Sequence, residues 1–237
     1  MIFFVFLLIF ICLILIWHFS TKRFLNPYKL YFYFGKKGCG KSTLLTKLAV
    51  RDLVAGKVVY STEKVRFIKK DKKTGEKILL ETKEIIPNRI YNYTFEAGSS
   101  IYIDEVNLLW DNRNFKNMDK KIIEWFRLQR HFKVSVHLFS QTFDVDLKIR
   151  SLCDEMYIIN KFARVFTIAR HLVRKPCIVH PGPDSPARID EDIIEDGLLL
   201  APFGGMIISY IPRWTHLFDS FKHYNSRADL SPIQQEI

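Results

Sequence analysis

Gly35-Lys36-Lys37-Gly38-Cys39-Gly40-Lys41-Ser42 has the composition and spacing of a phosphate-binding loop. Its glycines let backbone N–H groups curl around phosphate oxygens, a helix starting near Lys41 presents its positive end, and Lys41 reaches the terminal phosphates. Ser42 is expected to ligate Mg2+, and Thr43 completes the cofactor-binding run of residues 35–43. A second chemical cluster lies at Ile101-Tyr102-Ile103-Asp104-Glu105. A magnesium ion held by a serine also needs a carboxylate at the end of a neighbouring strand, and Asp104 fits that part. Glu105 would polarise an attacking water, because adjacent Asp and Glu suit a nucleotide hydrolase better than a small-molecule kinase. ATP and Mg2+ are therefore the expected cofactors. The bland readings are a chance glycine-lysine turn and an acidic strand end.

These residues need a scaffold, and the flanking pattern supplies one. Leu30 to Phe34 is a short apolar and aromatic run that stops at Gly35, and Lys41 to Ala55 has a helical pattern closed by Gly56. Strands are expected at Lys57 to Ser61, Ile90 to Phe95, Ser100 to Ile103, Val134 to Phe139 and Met156 to Ile159, with a helix over Asp119 to His131. Alternating strands and helices favour a mostly parallel sheet covered on both faces, with ligands outside the carboxyl ends of the strands. The expected fold class is therefore α/β, a mostly parallel P-loop NTPase sheet with helices on both faces, preceded by one N-terminal transmembrane helix; the resemblance set out below makes its type RecA-like. Pro176 to Pro186 holds four prolines and a glycine and suggests a loop. Beyond it, Leu198 to Ile211 suggests a hairpin around Gly204 and Gly205, Arg213 to His223 a helix, and Tyr224 to Ile237 a polar tail. The expected division is an anchor over 1–20, a core over 28–175, an extension packed on the core over 176–225 and a tail over 226–237.

From Met1 to Phe19 the only strongly polar side chain is His18. Such a helix would reach roughly 28 Å, close to the thickness of a bilayer's hydrocarbon region. A cleaved signal would want a basic start and small residues at its end, whereas this segment starts Met1-Ile2-Phe3-Phe4 and finishes in Trp17, His18 and Phe19. Trp17 suits the interface, and Lys22, Arg23 and Lys29 place the chain beyond the anchor in the cytoplasm by the positive-inside rule. The competing reading is a buried core helix. The chain of 237 residues carries a formal charge of +11, which favours anionic partners without choosing among them. Lys64, Arg66, Lys69, Lys70, Lys72, Lys73 and Lys77 crowd an expected hairpin over Val65 to Thr82, which would suit anionic lipid, single-stranded DNA or plain solvent. Cys12, Cys39, Cys153 and Cys177 show neither a disulfide framework nor a zinc pattern.

The sequence resembles the zonula occludens toxin (Zot) domain proteins, which include the assembly ATPases of filamentous phages, over roughly residues 30 to 225. The resemblance rests on the phosphate loop, on Ile101-Tyr102-Ile103-Asp104-Glu105-Val106-Asn107, and on Arg130-His131 followed by a strand. Ser140-Gln141 and Asp146-Leu147-Lys148-Ile149-Arg150 add to it. Proteins of this family look like relatives of the FtsK and HerA motors, in which a strand ending in a polar sensor lies between the phosphate-loop strand and the acidic strand. That order implies Gln141 beside the terminal phosphate, against the alternative of a strand-end residue facing solvent. The resemblance also implies a homo-oligomeric ring in which Arg130 serves as an arginine finger. Arg150 is a rival, and a solvated helix end is the plainer reading of Arg130.

Phage coat proteins or a complex of single-stranded DNA with protein are the implied cargo, and virion assembly and extrusion the implied function. A DNA translocase of the conjugation or chromosome-segregation kind and a nucleotide-switched membrane scaffold are the alternatives. Phage assembly proteins of this type commonly place the ATPase before the membrane span, whereas here the span comes first. With the span first and no second apolar run of spanning length in the sequence, a host or exit route without an outer membrane is expected.

Overall fold

In the computed structural model the described residues are 2–21, 26–70, 75–110, 119–143, 145, 147–179, 188–195 and 206–217. The chain starts with helix α1 (Ile2–Thr21), whose large apolar side chains from Phe4 to Phe19 are exposed. Strand β1 (Leu30–Phe34) then feeds the glycine loop and helix α2 (Lys41–Val54). Strand β2 (Val59–Ser61), the hairpin β3 (Arg66–Lys70) and β4 (Lys77–Glu81), and the short β5 (Lys83–Glu84) come after it. Next are β6 (Ser100–Ile103), helices α3 (Val106–Leu109) and α4 (Lys120–Leu128), β7 (Ser135–Ser140) and α5 (Leu147–Leu152). The last elements are β8 (Glu155–Phe162), β9 (Phe166–Val179), β10 (Arg188–Glu195) and β11 (Met206–Tyr210).

The main sheet runs β10-β9-β8-β1-β7-β6-β2-β5, with β11 also pairing with β9. Pairs β1/β7, β1/β8, β6/β7, β2/β6 and β2/β5 are parallel, and β9 pairs antiparallel with β8, β10 and β11. A parallel sheet needs cover on both faces, and the alternation within β1 shows how it is met. Leu30 and Phe32 face a cluster with Ile122, Trp125 and Phe126 of α4 and Ile149 of α5. Tyr33 faces the opposite cluster, with Leu44, Leu45 and Leu48 of α2. Each of those three leucines contributes about 2 kcal/mol by leaving water. Asp119 caps α4 by accepting a hydrogen bond from the Lys121 N–H at 2.9 Å.

The α2 side of the sheet is aromatic across its strands. His137 is registered between Tyr31 and Tyr102 and stacks on both, with ring centroids 4.5 Å apart in each case. Burial drives the His137 pKa down from its ordinary 6.5 to about 3. Because the fold holds a neutral imidazole, the stability it contributes is complete above about pH 6.5 and is lost as pH falls towards 3. We expect His137→Phe to keep the stacking and to remove up to roughly 1.4 kcal/mol per pH unit of destabilisation below pH 6.5. Denaturation of both proteins at several pH values between about 7 and about 4.5 checks this, and identical slopes would contradict it.

Several elements differ from the sequence reading. The strand expected from Ile90 to Phe95 is instead a 3-10 turn over Pro87–Asn92, because Pro87 sets the turn; Pro87 and Ile90 are buried, and Tyr91, Tyr93 and Phe95 pack against the same core. The loop expected over Pro176 to Pro186 does not begin at Pro176, since β9 continues to Val179 with Pro176 opposite Glu191 of β10, and residues 180–187 lie outside the described residues. Beyond Leu172, β10 alone among the described residues pairs with this strand, so proline disturbs no ladder on the other side. β11 forms the second half of the expected hairpin of residues 198–211 and pairs with β9, while residues 198–205 lie outside the described residues. The described start of the helix expected over Arg213 to His223 holds 3-10 turns at Ile211–Arg213 and Thr215–Leu217, and residues 218–223 lie outside the described residues. Lys72, Lys73, Asp146, Gly204, Gly205 and the tail over 226–237 lie outside the described residues.

Candidate nucleotide-binding site

Parallel register brings the carboxyl ends of β1, β7 and β6 side by side, with β7 in the middle. The expected sensor strand therefore lies between the loop strand and the acidic strand. Beyond β1 the chain turns through Gly35 to Gly40 and enters α2, whose first residue is Lys41. Gly38 and Gly40 hold φ of +77° and +93°, a region where an L side chain is strained. The two positions differ in surroundings. A Cβ on Gly38 would meet nothing within 4 Å, whereas one on Gly40 would collide with the Thr167 hydroxyl of β9. We expect Gly38→Ala to cost about 1–2 kcal/mol from backbone strain alone, and Gly40→Ala to cost clearly more. Thermal melts of the two variants check the ranking, and equal losses would contradict the packing of β9 on the loop.

Across the loop, the Ser42 hydroxyl donates to Asp104 Oδ2 at 3.2 Å. Burial pushes the Asp104 carboxyl above its ordinary range, and the neighbouring Glu105 charge adds to the rise. The Glu105 N–H, the Ser42 hydroxyl and Lys41 pull the other way. Such a carboxyl gains from a nearby cation. The Asp104 N–H donates to Thr62 Oγ1 at 2.9 Å, which ties the acidic strand end to the residue after β2. Glu105 sits at φ 53°, ψ 43°, a left-handed conformation for a non-glycine residue, and so breaks off β6 sharply before α3. The Gln141 side-chain amide donates to Glu105 Oε1 at 3.2 Å. Lys41 is buried, and its ammonium donates to the carbonyls of Gly35 at 2.8 Å and Lys36 at 3.1 Å.

Ser42, Asp104, Glu105, Gln141 and Lys41 are thus assembled around one loop from separate elements or their ends. Lys36 and Lys37 are exposed on the loop, while Cys39 and Thr43 are buried beneath it. Among the described residues no group of three His, Cys, Asp or Glu side chains stands ready to hold a metal. The Ser42–Asp104 pair nonetheless fits Mg2+ bound beside a triphosphate, because that ion takes one or two protein oxygens and fills its remaining positions with phosphate and water.

Arg130 is not brought to this cluster. It is ion-paired with Asp154, which also accepts from the Leu30 N–H at 2.8 Å, at the amino-terminal edge of the sheet. Arg150 is on the loop side, where it donates to the Phe143 carbonyl at 2.7 Å and lies 3.9 Å from the centroid of the Phe143 ring. Phe143 in turn packs against Phe34, the residue before Gly35.

Two contributors escaped the sequence reading. Asn107 Oδ1 lies 3.3 Å from the Ser140 hydroxyl and 3.4 Å from the Gln141 N–H, so it joins the ends of β6 and β7. The sequence places it in the stretch that carries the resemblance, two residues after Glu105, without giving it a role. Thr167 is fully buried, donates to the Cys39 carbonyl at 3.2 Å and backs the loop from an antiparallel strand. No local signal marks it, since its neighbour in space is 128 residues away in sequence.

The fold and loop together define a P-loop NTPase-type α/β protein. A family model for the zonular occludens toxin (Zot) matches residues 29–191, and the chain belongs to that family. The N-terminal domain of zonular occludens toxin from Neisseria meningitidis has the same fold. It is 14% identical, with a TM-score of 0.51 over 81% of this chain and 99% of that one. The genome packaging NTPase B204 from Sulfolobus turreted icosahedral virus 2, in complex with ATP-gammaS, is more distantly similar. There the identity is 15% and the TM-score 0.41, over 56% of this chain and 76% of that one. No curated protein sequence matches the chain.

Proposed function

We propose that this chain is a membrane-anchored ATPase that drives assembly and extrusion of a filamentous phage from the inner face of the host's cytoplasmic membrane. One observation carries the enzymatic part: Ser42 meets Asp104 at 3.2 Å while Glu105 meets Gln141 at 3.2 Å, both beside one glycine loop. Family membership carries the biological setting. Bound Mg2+ would neutralise phosphate charge and orient the terminal phosphoryl group. Ser42 and Asp104 would hold that ion, and the loop amides with Lys41 would cradle the phosphates. Glu105 would orient and polarise the attacking water, with Gln141 fixing the Glu105 carboxylate. Asn107 would hold the Gln141 backbone in register. An arginine from a neighbouring subunit of a ring, Arg130 or Arg150, would complete the charge compensation.

The anchoring part rests on α1, which has 20 residues and exposes its apolar side chains. A helix of that length reaches about 30 Å, enough to cross the hydrocarbon region once. Fractionation of cells producing the full chain tests it: the protein should stay in carbonate-washed membranes with its loop region open to cytoplasmic protease. Recovery in the soluble fraction would contradict the anchor. For the cargo, virion release from host cells whose own copy carries Lys41→Ala should stop while coat protein accumulates. Strong stimulation of turnover by bare DNA, weakening with salt, would instead mark a DNA translocase.

A further inference from the structure

The hairpin β3–β4 stands apart from the main sheet and carries an unusual tip. Its last three rungs pair Lys70 with Lys77, Lys69 with Ile78, and Ile68 with Leu79. All six side chains are exposed, including the three aliphatics: Ile68 is 60% exposed, Leu79 57% and Ile78 44%. Nearer its base, Phe67 and Leu80 pack against the α2 cluster, so the hairpin is fixed to the domain body. A tip that mixes exposed aliphatics with lysines suits neither a solvated loop nor a protein core. It suits the boundary between lipid headgroups and acyl chains, where aliphatics leave water and ammonium groups meet phosphate.

The direction of the hairpin identifies its neighbour. α2 runs from the glycine loop down to Val54, at the edge of the sheet opposite the nucleotide site, and Lys69 Nζ donates to the Val54 carbonyl at 3.4 Å. The tip therefore reaches the edge at which β1 starts. That edge also receives the chain from α1, since Gln129 donates to the Tyr28 carbonyl at 3.3 Å and Ser135 donates to the Pro27 carbonyl at 3.3 Å. Residues 22–29 connect α1 to β1. A connection of that length spans at most about 28 Å, so this edge stays close to whatever surface α1 enters.

We infer that the β3–β4 tip docks into the anionic leaflet next to α1 and holds the nucleotide site facing away from the membrane. This rests on the anchored reading of α1, and the test separates the two. The full chain carrying Leu79→Trp is placed in nanodiscs of phosphatidylglycerol or of phosphatidylcholine, each with brominated acyl chains. A Trp17→Phe version and the parent chain report the anchor's own signal. The expected result is loss of most of the emission of the introduced tryptophan in phosphatidylglycerol. Little loss is expected in phosphatidylcholine or when Lys69, Lys70 and Lys77 are changed to Glu. Quenching of Trp17 without quenching at position 79 would overturn the docking and leave the anchor standing. No quenching at either position would overturn both, and recovery of emission on adding single-stranded DNA would reassign the tip to nucleic acid.

Discussion

Glu105→Gln should bind ATP as the parent chain does and release phosphate about 10²- to 10⁴-fold more slowly. The carboxylate sits one residue past the half-buried Asp104, at the sharp left-handed turn that ends β6, where Gln141 already holds one of its oxygens at 3.2 Å. Glutamine has the same shape and can still accept a hydrogen bond there, so the fold and the phosphate loop are left alone. It loses the negative charge that would polarise a water. Binding measured with a fluorescent nucleotide and turnover measured as phosphate release separate the two effects. Normal turnover by this variant would remove Glu105 from the mechanism, and lost binding would mean that it supports the loop instead.

Lys41→Ala should fail at the earlier step. Lys41 is buried at the start of α2, with its ammonium folded over the Gly35 and Lys36 carbonyls at the centre of the loop. A charge-assisted hydrogen bond to phosphate contributes about 1.5–3 kcal/mol, so removing it should weaken ATP binding about 10- to 100-fold. Lys36 and Lys37 are exposed, and Lys37→Ala is the matched control for loss of one positive charge. Equal weakening by the two alanine variants would mean that the loop attracts phosphate only through its overall field. Unchanged binding in Lys41→Ala would contradict the phosphate loop itself.

The halves of the site were legible because each is written in one short stretch. Gly35 to Ser42 encodes its own backbone geometry through Gly38 and Gly40, and the apolar run before Asp104 ends where a parallel strand must end. The order of strands, with Gln141 between loop and acid, came from resemblance and not from any pattern in the residues. Thr167 was invisible, because the pairing of β9 with β8 and its packing on Gly40 are decided by contacts far apart in sequence. Pro176 misled for a related reason: a proline punctuates a chain only where its missing N–H is needed, and the far half of β9 pairs on one side alone among the described residues. Ile90 to Phe95 misled because Ile90, Tyr91, Tyr93 and Phe95 all pack on the core as strand residues would, although Pro87 starts a turn.

Arg130 shows what one chain's sequence does not specify. Its ion pair with Asp154 gives it a local role at the edge away from the loop, while Arg150 stacks on Phe143, which packs against Phe34 before Gly35. A ring would bring either edge towards a neighbouring subunit, so oligomer geometry decides between them.

Whether the loop and the two carboxylates form a hydrolytic site is decided by phosphate release from the full-length chain in lipid nanodiscs, supplied with excess ATP and Mg2+. Many phosphates per chain are expected, with release abolished by chelating the metal and by Asp104→Asn. Release of one phosphate or fewer per chain, or release that survives both treatments, would contradict a metal-dependent ATPase built on Ser42, Asp104 and Glu105.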